Sequence, residues 1–303
     1  MRAARFHEYG DPEVLVIEEV PIPTPGTGEV LVTVRAAGVN PVDWKIRRGA
    51  RGVPLPAGLG SDVAGVVDAV GAGVTEVSVG DEVFGVSTTP SYAEFALAKP
   101  SQLARKPAAV PWEVAGAIGV AGRTAYRVLR ELEVESGDTV LVHPAAGGVG
   151  LFAVQLAVRA GASVIGTGSE GNHEFIRSIG ATPVAYGEGL VERVRAAAPK
   201  GIDAVLDSSG RGELPLLVDL AGGGRRVISV ADLDASRYGA SFSGSSTSPT
   251  DVSGAFPLFA RLLEAGELTV PIWNEYPLEQ VAAAHAESEL GHLRGKIVLT
   301  VST

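Results

Sequence analysis

From residue 30, Val30, Val32 and Val34 alternate with Leu31, Thr33 and Arg35. A period of two predicts a strand with one buried face. Residues 63–70 predict a second strand, closed by the turn Gly71-Ala72-Gly73. Residues 79–85 read as a turn into a short strand, and 93–96 as one more. Short strands separated by Gly and Pro predict a small barrel. The texture changes near Pro111. Beyond it, Ala-rich helical stretches alternate with short apolar strands at 139–142, 163–166, Ala204–Asp207 and 226–230. That alternation predicts an α/β fold, a doubly wound parallel sheet. Residues Leu214–Leu220 and 256–265 predict helices, and the Ser- and Thr-rich 241–253 a loop. The tail, 295–301, reads as a strand of the barrel kind. The chain thus leaves the barrel, builds a second domain and returns. The expected division is 1–115 with 266–303 for the barrel, and 116–265 between.

Candidate chemistry concentrates at one turn. The run Val140-Leu141-Val142 passes through His143-Pro144-Ala145-Ala146 into Gly147-Gly148-Val149-Gly150, and an amphipathic stretch follows from Leu151. Strand, tight turn and helix bring bare backbone and a helix N-terminus close to a pyrophosphate. Gly147 and Gly148 permit the close approach, and Gly150 lets the helix lie on the strand. The spacing departs from G-x-G-x-x-G, but the next strand completes a βαβ unit.

The chain has 303 residues, 46% of them hydrophobic, which suits two globular domains. A net charge of −10 speaks against nucleic acid or an anionic membrane as partner. No secretory leader is recognisable, and no run of about 18 apolar residues exists, so a cytoplasmic protein is expected. Cysteine is absent, which removes disulfides and thiol chemistry. His7, His143, His173, His285 and His292 are not spaced as metal ligands.

Several motifs together resemble a known family. Ala36-Ala37-Gly38-Val39-Asn40-Pro41-Val42-Asp43-Trp44-Lys45 and the segment 59–67 are similar to its N-terminal signatures. Gly122-Arg123-Thr124-Ala125-Tyr126, the turn 145–150 and the closing strand 292–299 match in order. The sequence resembles the zinc-independent medium-chain dehydrogenase/reductases, in their quinone oxidoreductase-like (zeta-crystallin-like) branch. The resemblance implies a GroES-like barrel with a Rossmann domain, bound NADPH, and a homodimer. Zinc-dependent cousins carry Cys near the Asn40 position and a His–Glu pair near Ser61-Asp62. Here those residues are missing, and Ser91-Tyr92-Ala93-Glu94-Phe95 leaves no room for a structural-zinc lobe.

By the same resemblance, Asn40 and Thr124 face the nicotinamide and substrate, as catalytic and cofactor-binding residues. Ala146, Gly147, Gly148, Val149 and Gly150 hold the pyrophosphate, while Ser208 and Val230 line the cofactor at the sheet's carboxyl ends. Asn40 before Pro41 also reads as a turn residue, and Ser208 as a helix cap. The second strand ends in Gly166-Thr167-Gly168-Ser169-Glu170. No acid occupies the first positions, where an NAD enzyme binds the ribose diol. Gly168 and Ser169 leave space for a 2′-phosphate, His173 stands where the family often has Lys, and Tyr186 matches a phosphate-binding tyrosine. Glu170 pointing inward favours NAD instead. Asp43 and Lys45 read as a surface or structural pair. Trp44, Tyr92 and Tyr126 are candidates for shaping the pocket, since 47–56 lacks the family's loop tyrosine. The expected function is NADPH-dependent hydride transfer to a quinone or an α,β-unsaturated carbonyl without a metal. The alternative is a non-redox NADPH-binding protein or a biosynthetic cyclase.

Overall fold

The structure is a computed structural model, and it describes residues 1–244 and 248–302. The chain forms two compact units, residues 1–121 with 253–302 and residues 122–252.

The first unit is built on the strand Val30–Val39. It pairs antiparallel with Asp62–Val70, with Phe95–Ala98 and with Lys296–Thr300. The carboxyl-terminal strand therefore joins this sheet, next to Ile272–Pro277, which runs parallel to it. Glu82–Val86 pairs with Asp62–Val70 and with Leu103–Arg105 in the same sheet, and Arg2–Phe6, Val16–Glu19 and Ala57–Gly58 form a separate three-stranded sheet. Phe6, Val32, Val63, Tyr92, Ile297 and Leu299 share one apolar core. The alternation at residue 30 understates burial, because Leu31 is only 5% exposed. The helix Trp112–Gly116 packs on this strand, which covers its second face.

The expected boundary at 265/266 falls instead at 252/253. The helix Ala255–Glu264 carries Phe256, which meets Phe84 edge to face at 6.1 Å, and so packs with the first unit.

Among the described residues the second unit holds six parallel strands: Thr139–His143, Ser163–Gly168, Thr182–Ala185, Ala204–Asp207, Val227–Ser229 and Ser241–Phe242. Numbered in chain order within this unit, they lie 3-2-1-4-5-6. This is the doubly wound dinucleotide-binding order, with its switch point between the first and fourth strands. Ser241 and Phe242 add a strand where a loop is expected; the loop's residues 245–247 lie outside the described residues.

Candidate functional site

The first parallel strand ends at His143, and the helix Gly148–Arg159 begins five residues later. Gly147 caps the helix in extended conformation, and no side chain bonds its first amides. Such N–H groups and the helix dipole suit an anion. Gly150 is required sterically: a Cβ there would stand 2.0 Å from the Pro144 carbonyl oxygen. At Gly147 an added Cβ meets only the Pro144 side chain, at 3.9 Å. The two glycines therefore do different work. Gly150 seats the helix on the turn, and Gly147 leaves open space above it. The cradle fits a pyrophosphate.

Ala146, Gly147, Gly148 and Val149 lie on this turn. Gly168 and Ser169 lie at the end of the neighbouring second strand, and Asn172 donates to Ser169 Oγ at 3.2 Å. His173 opens the next helix, with its Nε2 buried and without a hydrogen-bond partner. Tyr186 follows the third strand, and its N–H reaches the Gly168 carbonyl at 3.4 Å. Glu170 is exposed.

On the other side of the switch point, Ser208 N–H donates to the His143 carbonyl at 2.7 Å. Ser208 is not a helix cap, because the next helix, Leu214–Leu220, starts after Glu213. Val230 N–H donates to the Asp207 carbonyl at 2.9 Å. Ser229 Oγ donates to Asp207 Oδ2 at 2.7 Å and accepts from the amides of Ala231 and Asp232, which fixes the turn after the fifth strand. The His143 ring is buried beside Thr167 Oγ1 at 2.7 Å, and burial lowers its pKa. Its neutral form is a hydrogen-bonded wall at the switch point.

The structure thus gathers residues 146–150, 168, 169, 173, 186, 208 and 230 at the carboxyl ends of one parallel sheet. Thr124 is buried on the helix Gly119–Glu131. Asn40 belongs to the first unit.

Asn40 caps the helix Pro41–Arg47, with Pro at the first turn. Its N–H donates to Asp43 Oδ2 at 2.8 Å, and the Tyr92 hydroxyl donates to the same oxygen at 2.7 Å. Asp43 is only 2% exposed, so it is neither a surface residue nor the partner of Lys45. The Lys45 ammonium stands 5.6 Å from the Trp44 ring centre. Burial pushes the Asp43 carboxyl up to about 7, against the opposing effect of the Tyr92 and Asn40 hydrogen bonds. Tyr92 is wholly buried and belongs to this network and the core.

Lys296 completes the group, and sequence reasoning missed its role. Its ammonium donates to Asn40 Oδ1 and, at 3.2 Å, to the Val39 carbonyl, and lies 3.8 Å from Asp62 Oδ2. Asp62 Oδ1 accepts from Val120 N–H at 2.6 Å. A cation already sits between the Asn40 and Asp62 side chains. The donors there are an amide oxygen, a carbonyl and a carboxylate, with an ammonium in place of the sulfur and imidazole that zinc favours. These residues do not fit a zinc ion. Among the described residues no group of three or more His, Cys, Asp or Glu is arranged to hold a metal.

Residues 26–108 match the alcohol dehydrogenase GroES-like domain, and residues 179–299 match the zinc-binding dehydrogenase domain. The chain is 37% identical to a quinone oxidoreductase of Lama guanicoe, over 99% of this chain and 97% of that one. Its fold superposes on the Escherichia coli quinone oxidoreductase complexed with NADPH with a TM-score of 0.88. That pair is 30% identical, over 99% and 100% of the two chains. A structure described as an NAD-dependent alcohol dehydrogenase gives the same TM-score at 31% identity, over the whole of both chains. No described helix is long and apolar enough to cross a membrane. A GroES-like unit, a parallel sheet in dinucleotide-binding order and full-length identity to quinone oxidoreductases place the chain in the quinone oxidoreductase-like family of medium-chain dehydrogenase/reductases.

Proposed function

We propose that the protein is an NADPH-dependent reductase of quinones or α,β-unsaturated carbonyls that works without a metal. The observation that carries this reading is the helix N-terminus at 147–150, whose cap Gly147 has no side chain to bond its first amides, at the switch point of a 3-2-1-4-5-6 sheet. Amides of that turn hold the pyrophosphate. Ser169, His173 and Tyr186 surround the 2′-phosphate, where the second strand ends in Gly168-Ser169 and the nearest acid, Glu170, is exposed. Ser208, Val230 and Thr124 line the cofactor, and Asn40 is the first unit's candidate catalytic residue. NADPH, when bound, supplies a hydride. Lys296 occupies the place of a Lewis acid, so the acceptor must be one whose reduction needs little help at oxygen. An activated C=C or a quinone meets that condition, and an unactivated alcohol or ketone does not.

The test is nicotinamide absorbance loss with a panel of quinones and enones, with NADPH and with NADH, before and after dialysis against a chelator. NADPH consumption with at least one quinone or enone, unaffected by the chelator, supports the reading. Tight NADPH binding with no consumption favours the non-redox alternative. Activity lost to the chelator and restored by zinc refutes metal independence.

A further inference from the structure

The second parallel strand ends at Gly168, and in a sheet of this order the adenosine ribose lies beyond that end. The Tyr186 N–H on the Gly168 carbonyl holds the turn after the third strand against this position. Arg193, on the helix Leu190–Ala197, grips the same turn. Its Nε donates to the Ala185 carbonyl at 3.0 Å, and Nη2 reaches the Tyr186 and Gly187 carbonyls at 3.4 Å each. All three acceptors are neutral backbone groups. Among the described residues Arg193 forms no ion pair, and Nη1 has no acceptor. Gly189 sits beside this group at φ +74°, and a Cβ there would stand 2.9 Å from Nη1. The glycine leaves the guanidinium its room.

We infer that Arg193 is the specificity-determining cation for the 2′-phosphate: Nη1 donates to the phosphate while Nε and Nη2 hold the turn that carries Tyr186. The inference rests on the NADPH reading above. Three carbonyl bonds fix the guanidinium before a ligand arrives, so little side-chain freedom is lost on binding. A guanidinium edge suits phosphate oxygens, and charge-assisted bonds of this kind are the strong ones. The carboxylates of Glu170, Glu188 and Glu192 on the same stretch are exposed, and solvent screens their repulsion.

The experiment titrates wild type, Arg193→Gln and Arg193→Lys with adenosine 2′,5′-bisphosphate, 5′-AMP, NADPH and NADH by calorimetry, with circular dichroism as the check on folding. Wild type should favour both 2′-phosphorylated ligands. Arg193→Gln should weaken those two by roughly tenfold and leave 5′-AMP and NADH unchanged. Arg193→Lys should fall between, because an ammonium keeps the charge but cannot bridge three carbonyls. Unchanged discrimination in folded Arg193→Gln overturns the inference, as does equal weakening of all four ligands, which marks a purely structural role. Wild type without preference for the 2′-phosphate overturns the NADPH reading itself, and the inference with it.

Discussion

The Lys296 ammonium donates to the side-chain oxygen of Asn40, 256 residues earlier in the chain. Asn40 is 3% exposed and Lys296 is 3% exposed, so this is a charge held inside the first unit. Its bond turns the Asn40 amide so that the oxygen faces the ammonium, while the NH2 donates to the Gly38 carbonyl at 3.4 Å. Lys296→Met would remove the buried ammonium that lies between Asn40 and Asp62. Breaking a buried ion pair costs about 3–5 kcal/mol. The urea midpoint of unfolding should fall accordingly, and an unchanged midpoint would show that the ammonium adds nothing.

The phosphate turn predicts two distinct phenotypes. Gly150→Ala forces a Cβ to 2.0 Å from the Pro144 oxygen, so helix or turn must move. Overpacking of this kind costs about 1–3 kcal/mol, and both thermal stability and NADPH affinity should drop. Gly147→Val should leave stability nearly unchanged and lower NADPH affinity, because its space is open to the ligand and not to the protein. Equal melting temperatures for the two variants would contradict this division.

Two buried groups of the first unit give opposite pH slopes. Asp43, facing Tyr92, Asp62 and Lys296, has its pKa raised from 3.8 to about 7. The folded state keeps a proton that the unfolded chain releases, so this contribution to stability is lost as pH rises from about 4 to about 7. His285 has its pKa lowered from 6.5 to about 3, by burial and by Arg47, which itself pairs with Glu289. Its contribution is present above pH 6.5 and is lost as pH falls towards 3. The two oppose each other between about pH 4 and 6.5. Asp43→Asn should therefore make stability rise with pH in that window, and His285→Gln should make it fall, each by up to about 1.4 kcal/mol per pH unit. Denaturation midpoints at pH 4.5, 5.5 and 6.5 read this directly, and parallel slopes in the two variants would contradict it.

We propose that the second unit dimerises through the edge strand Ser241–Phe242. Among the described residues Ser241–Phe242 is the edge strand of the sheet, and Leu233, 78% exposed, and Tyr238, 40% exposed, precede it. Sedimentation at micromolar concentration should give a dimer, and Leu233→Glu combined with Tyr238→Lys should give a monomer. A monomeric wild type would refute the proposal.

The sequence exposed what depends on neighbours in the chain. The turn at 147–150 and the fourth strand are legible because an apolar run meets glycines within a few residues. The helix Pro41–Arg47 is hidden, since its burial hangs on Tyr92 and His285, far away in sequence. Asp43 looks solvated for the same reason: its partner Tyr92 lies 49 residues on. Lys296 reads only as part of a closing strand until the fold brings Asn40 and Asp62 to it. Arg193 carries a weak local signal, as one of two arginines on an amphipathic helix, and only the geometry of the preceding turn gives it a task. The helix Ala255–Glu264 is visible as a helix but not as part of the first unit, because that depends on Phe84.

The most direct test of the central claim is a single turnover. Protein in excess over NADPH is mixed with a quinone or enone found in the panel, and nicotinamide absorbance is followed alongside the reduced product. The account predicts loss of all bound NADPH with one equivalent of reduced product, in metal-free buffer containing a chelator. Bound NADPH that persists with every acceptor would contradict it and assign the scaffold a non-redox role.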